Sequence, residues 1–239
     1  MNVISKLKAG RTMLFVVLLV CFKSHGQQKI HSDDKLIFEE NFAENLNTNK
    51  WLSEIEPLGK SSVQTKGGKL IMDTAGGVTV WFNQKLEGNI RIEYDWKVLV
   101  DTGRNDRLSD LNQFWMVADP RNSNLFTRSG KFETYDSLAL YYVGFGGNGN
   151  TTTRFRKYYG DGRKPLLKEY LDSAHLLKPN HTYHISITVR DGETTFLVDG
   201  KIFFQWKDPD PLKNGYFGFR STSARQAIDH FRVYRLTAI

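Results

Sequence analysis

The chain of 239 residues has a single cysteine, Cys21, and only six prolines. One cysteine excludes an internal disulfide and any multi-cysteine metal site. No apolar run reaches the ~20 residues that a membrane-spanning helix needs. The longest, Met13 to Phe22, has ten. Internal repeats and low-complexity tracts are lacking as well, which argues against solenoids and linker-joined modules. With 40% hydrophobic and 25% charged residues, the chain is not of the disordered class. What is abundant is aromatic: 16 Phe, 10 Tyr and 5 Trp, beside 20 Gly. That mixture favours strands and tight turns over helix bundles.

The first 26 residues differ from the rest. Lys6, Lys8 and Arg11 precede the apolar run, and Ser24-His25-Gly26 places small residues at the −3 and −1 positions of a cleavage site. This is the layout of a secretory signal peptide. A lipid anchor on Cys21 is the rival, with Val20 where such motifs carry a smaller residue. Cleavage after Gly26 removes Lys6, Lys8, Arg11 and Lys23, so 33 basic residues become 29 against 26 acidic ones, and the formal charge falls from +7 to +3. Cys21 leaves too, and with it thiol chemistry. The expectation is export to the periplasm or beyond of a single domain, residues 27–239, large enough to fold without disulfides.

That domain reads as strands. Residues 88–98 alternate: Ile90, Ile92, Tyr94, Trp96 and Val98 share one face, and Arg91, Glu93, Asp95 and Lys97 the other, the period of a half-buried strand. Residues 181–190, 193–198 and 201–206 are three strands joined by Asp191-Gly192 and Asp199-Gly200, dipeptides that favour two-residue hairpin turns. Further strands are expected at 35–42, 69–73, 77–82, 111–118, 138–145, 151–158, 215–220 and 227–236, with a turn at Gly76-Gly77 and a loop with a helical turn over 165–177. About a dozen short antiparallel strands imply an all-β fold, a two-sheet β-sandwich.

The opening LIFEENF followed by Trp51, the block HTYHISITVRDGETTFLVDGKIFF and the ending GYFGFRSTSARQAIDHFRVYRL resemble concanavalin-A-like jelly rolls of the lectin/glucanase superfamily. The segments NDRLSDLNQFWMVADPRN and YYVGFGGNGNTTTRFRKYYGDG resemble a family of uncharacterised secreted bacterial domains within it. The resemblance implies a concave sheet forming a glycan cleft. It leaves the activity open among hydrolases, lyases, lectins and interaction modules. It also implies that a structural calcium near the paired termini is possible, with Glu39, Glu40 and Asp229 as oxygen ligands. No other cofactor is expected.

The retaining glucanases of this superfamily carry Glu-x-Asp-x-x-Glu on one strand. Here Glu93 and Asp95 are followed by Val98, so the second catalytic carboxylate is missing. The sharper feature is TTTRFRKY. Alternation places Thr152, Arg154, Arg156 and Tyr158 on one face, the two arginines about 7 Å apart. Planar guanidinium forks suit carboxylates. A lyase acting on a uronic acid needs its carboxylate neutralised and a base near C5, which Arg154 or Arg156 with Tyr158 would supply; a solvated outer face is the alternative. Arg104, Asn112, Trp115, Tyr142 and Asn148 are the expected ligand-binding residues, Asn148 lying in the glycine-rich GFGGNGN stretch, which no Gly-Lys-Ser/Thr follows. The reading is a secreted carbohydrate-active protein for an acidic polysaccharide, lyase-like, with a non-catalytic lectin-like or envelope interaction module as the alternative. Nucleic acid and stable membrane insertion are not expected.

Overall fold

The computed structural model describes residues 34–237 apart from 110, so the signal peptide expected over residues 1–26 lies outside the described residues. Thirteen strands follow in order among the described residues: β1 (Lys35–Glu40), β2 (Trp51–Ile55), β3 (Ser62–Thr65), β4 (Leu70–Glu87), β5 (Ile90–Val98), β6 (Leu111–Ala118), β7 (Ala139–Gly146), β8 (Thr152–Tyr159), β9 (Leu166–Tyr170), β10 (Thr182–Arg190), β11 (Glu193–Val198), β12 (Lys201–Lys207) and β13 (Asn214–Arg235). No helix among the described residues is long and apolar enough to cross a membrane.

All pairings between these strands are antiparallel, and two long strands join two layers. The first half of β13, residues 214–222, lies between β4 and β6; its second half lies between β5 on one side and β4 followed by β1 on the other. One sheet therefore runs β12-β11-β10-β5-β13 and continues to β4 and β3, with β1 beside the end of β13. The other runs β2-β4-β13-β6-β7-β8-β9. The corner falls at Ser223, whose φ of 46° accompanies a register shift between Thr222 and Ala224. Such an irregularity bends a strand from one sheet into the next.

Three expectations change here. Gly76-Gly77 makes no turn, because β4 pairs with β13 on both sides of it and the ladder carries the strand through. The two C-terminal strands are one, β13, for the same reason. The 165–177 loop contains an edge strand, β9, then a 3₁₀ turn over Ser173–His175.

The core lies between the sheets. Ile90, Ile92, Tyr94, Trp96 and Val98 of β5 all face it, as their period of two predicts. Trp115 and Phe155 stack at 6.0 Å with an interplanar angle of 3°, and Phe155 stacks in turn on Phe204. Each such ring contributes about 1.5–3 kcal/mol by leaving water. Lys157 also faces inward, on β8. It ion-pairs with Asp208 at 2.8 Å, both side chains 1% exposed, and donates to the Asp210 carbonyl. Tyr141 donates its hydroxyl to the same Asp208 carboxylate at 2.6 Å. These bonds hold the connection between β12 and β13 against the second sheet.

A second apolar cluster covers part of the outer face of the second sheet. Trp81, Phe114, Leu140, Tyr142 and Tyr158 from four strands pack there with Leu125, Tyr135 and Leu138 of the long β6–β7 loop.

Candidate functional site

Beside that loop the outer face of the second sheet opens into a cleft of about 420 Å³. Its floor comes from Asn112 of β6, Gly144 of β7 and Arg154 and Arg156 of β8; Phe132, Tyr142 and Tyr158 border it under the β6–β7 loop. Arg107 and Thr222 border it toward β13, and Gly147, Asn148, Thr152 and Lys164 contribute from the turns. The antiparallel register explains the gathering. Tyr142 lies opposite Arg156 and Gly144 opposite Arg154 on β8, while Asn112 lies opposite Gly144 on β6.

The floor needs Gly144 to be bare. A Cβ there would strike the Tyr142 hydroxyl and Asn112 Oδ1, which are hydrogen-bonded to each other at 3.0 Å. Because Tyr142 donates to the carbonyl oxygen of Asn112, the Asn112 amide nitrogen is available as a donor. The GFGGNGN stretch forms the β7–β8 turn, with left-handed φ at Gly146, Asn148, Gly149 and Asn150. Glycine and asparagine adopt that region most readily. Asn150 locks the turn by bonding both the carbonyl and the amide of Leu177, which leaves Asn148 exposed at the cleft rim.

Charge in the cleft is one-sided. Four cations line it, Arg107, Arg154, Arg156 and Lys164, and no carboxylate does among the described residues. Two are compensated from behind: Arg154 by Glu169 and Lys164 by Asp136, each at 2.5 Å. Arg107 donates to the carbonyls of Thr222 and Ser223. Arg156 donates to the Lys164 carbonyl at 2.8 Å and has no carboxylate within ion-pair distance among the described residues. The Tyr158 hydroxyl is pushed well above the ordinary tyrosine value, by burial first and by the Asp136 charge second; Arg156 and Arg220 pull the other way. At neutral pH it is a proton-bearing group, suited to donating and poorly suited to removing a proton.

The expected site residues are thus divided. Arg154, Arg156, Tyr158, Asn112, Tyr142 and Asn148 share the cleft. Trp115 does not: it is fully buried between the sheets, its Nε1 donating to Thr194 Oγ1 at 3.0 Å. It stands three positions from Asn112 on one strand, an odd spacing that puts the two on opposite faces. Arg104 is exposed on another loop and does not line the cleft. Glu39 pairs with Arg232, Glu40 accepts from the Phe42 amide, and Asp229 pairs with Lys69. Among the described residues no group of three His, Cys, Asp or Glu is arranged to hold a metal ion. Glu93 and Asp95 lie on the other sheet, Glu93 beside Arg91 and Asp95 between His184 and His230. Sequence reasoning missed Phe132, Lys164, Arg107 and Thr222 as lining residues. Arg107 and Lys164 belong to a basic stretch of the sequence, residues 101–164, with ten Lys/Arg against seven Asp/Glu, whereas Phe132 gives no signal because its loop lacks periodicity.

Solved structures of similar fold include a protein of unknown function with a galectin-like fold from Bacillus subtilis, at TM-score 0.69 and 16% identity over 86% of this chain and 98% of that one. An endo-β-1,3-glucanase from Pyrococcus furiosus follows at TM-score 0.62 and 10% identity, covering 86% and 96%. The carbohydrate-binding module CBM66 from Bacillus subtilis gives 0.52 and 12%, covering 77% and 94%. The fold is therefore the concanavalin-A-like jelly roll. None of the curated proteins matches the sequence. Residues 72–231, more than half of the chain, match the model of the domain of unknown function DUF6250, and the protein belongs to that family.

Proposed function

We propose that the protein is an exported carbohydrate-binding protein whose outer-face cleft takes a saccharide carrying acidic groups. The observation that carries this is Arg156, a half-buried guanidinium in a polar cleft with no carboxylate partner among the described residues. A ligand carboxylate or sulfate would complete it with charge-assisted, bidentate hydrogen bonds. Asn112, Tyr142 and Asn148 offer the neutral donors and acceptors that sugar hydroxyls need. The glucanase and the carbohydrate-binding module of the same fold support a saccharide as the ligand class.

Binding is favoured over cleavage. Hydrolysis needs a pair of carboxyl groups flanking the bond, and the cleft lining has none among the described residues. Elimination needs a base near C5, and Tyr158 holds its proton tightly. Calorimetric titration with oligomers of galacturonic acid tests the reading. Binding by the native protein, weakened about tenfold or more in Arg156→Gln, is expected, with no ultraviolet absorbance from an unsaturated product. Equal affinity in both proteins would remove Arg156 from the site. An unsaturated product that disappears in Tyr158→Phe would establish a lyase instead.

A further inference from the structure

The β6–β7 loop does more than border the cleft. Its backbone lies directly on β4, where a Cβ at Gly77 would collide with the Gly130 carbonyl oxygen and one at Gly130 with the backbone of Ile55, Glu56 and Gly77. Arg220 of β13, 1% exposed, donates to that same Gly130 carbonyl and lies 5.2 Å and 5.4 Å from the ring centroids of Phe132 and Tyr135. Glu54 of β2 accepts from the Arg128 amide, the Trp81 indole and the Tyr135 hydroxyl. Arg128 bonds Asp119, Leu125 and Thr134 within the loop. The loop is thus fastened by buried polar contacts as well as by its apolar side chains, and it occupies β4, the strand that a groove across this sheet would cross next after β13.

Resting on the saccharide reading above, we infer that the cleft is a dead end that binds the terminus of a saccharide chain and not its interior. A polymer lying across the sheet would have to pass over β4, and the Gly130 backbone stands there. Phe132, Tyr142 and Tyr158 close the direction along the strands. The remaining 420 Å³ is near the small end of the ~300–1,000 Å³ range of ligand pockets and holds about one or two sugar rings. Arg156, on the cleft floor at β8, then reads an acidic group on the last ring or the one before it.

The whole protein, titrated with polygalacturonate fractions of graded length and in parallel with laminari-oligosaccharides as a neutral series, tests this. End recognition predicts about one protein bound per polysaccharide chain at every length, a constant affinity per mole of chain, and about a tenfold or larger loss in Arg156→Gln at unchanged stoichiometry. A stoichiometry that rises in proportion to chain length overturns the end-on inference while leaving the saccharide reading standing. No binding to either series overturns the saccharide reading and this inference with it. One-per-chain binding confined to the neutral series supports end recognition and removes the acidic preference.

Discussion

Tyr94 places its hydroxyl in the middle of the core with no hydrogen-bond partner among the described residues, edge-on to Phe219 at 4.9 Å, and burial pushes that hydroxyl well above its ordinary value. A buried, unsatisfied hydroxyl costs about 1–3 kcal/mol. Tyr94→Phe should therefore leave stability unchanged or raise it by about 1 kcal/mol, read as the urea midpoint; a loss of more than ~1 kcal/mol would show that the hydroxyl has a partner. At this scale the sequence is partly legible. Period two places Arg154, Arg156 and Tyr158 together because they sit on one regular strand. Trp115 defeats a composition argument, since an aromatic residue is equally at home stacking on a sugar or on Phe155. The odd spacing from Asn112 is the signal that separates them.

Among the elements, β8 carries the site on one face and a buried ion pair on the other. Lys157 and Asp208 are both nearly inaccessible, and removing one partner leaves the other as a buried charge without compensation. Lys157→Met should cost about 3–5 kcal/mol, and Lys157→Met combined with Asp208→Asn should recover most of it. Denaturant unfolding of the single and double variants checks this; equal losses in both would mean that the cost comes from the lost Lys157 bond to the Asp210 carbonyl and not from a stranded Asp208 charge. No periodicity in the sequence announces this pairing, because its partners lie 51 positions apart and meet only after the sheets have closed. The merging of two expected strands into β13, and of two into β4, has the same origin. Gly76-Gly77 favours a turn locally, and a ladder paired on both sides overrides it.

For the whole molecule, the loops that rim the cleft share an electrostatic design. Burial raises the Asp119 carboxyl, but Arg128, the Arg121 amide and the Arg121 charge outweigh it and hold the group below the usual carboxylate value. Asp106, beside Arg107, behaves alike: burial is overcome by the amides of Asp101 and Gly103 and by Arg225. A carboxylate with a lowered folded-state pKa contributes stability that is fully present above its unfolded value of about 3.9 and is lost as pH falls through the folded value. Stability should thus be flat with respect to these groups above about pH 5 and decline below it. Asp119→Asn should flatten that acid decline while lowering stability at neutral pH. Urea midpoints across the acid range measure both effects, and an undiminished acid slope in the variant would assign the decline to other groups.

The sequence by itself determined the all-β class, the hairpins at Asp191-Gly192 and Asp199-Gly200, the inward face of β5 and the shared face of Arg154, Arg156 and Tyr158. Each follows from local terms: alternation with the pleat, and turn residues that tolerate left-handed φ. Only the tertiary structure decided which sheet carries the cleft, that Trp115 belongs to the core, and that the β6–β7 loop closes the face at β4. Those depend on contacts between distant segments, such as Gly130 upon Gly77 and Arg220 beneath Gly130, whose energies arise only when the chain has brought them together.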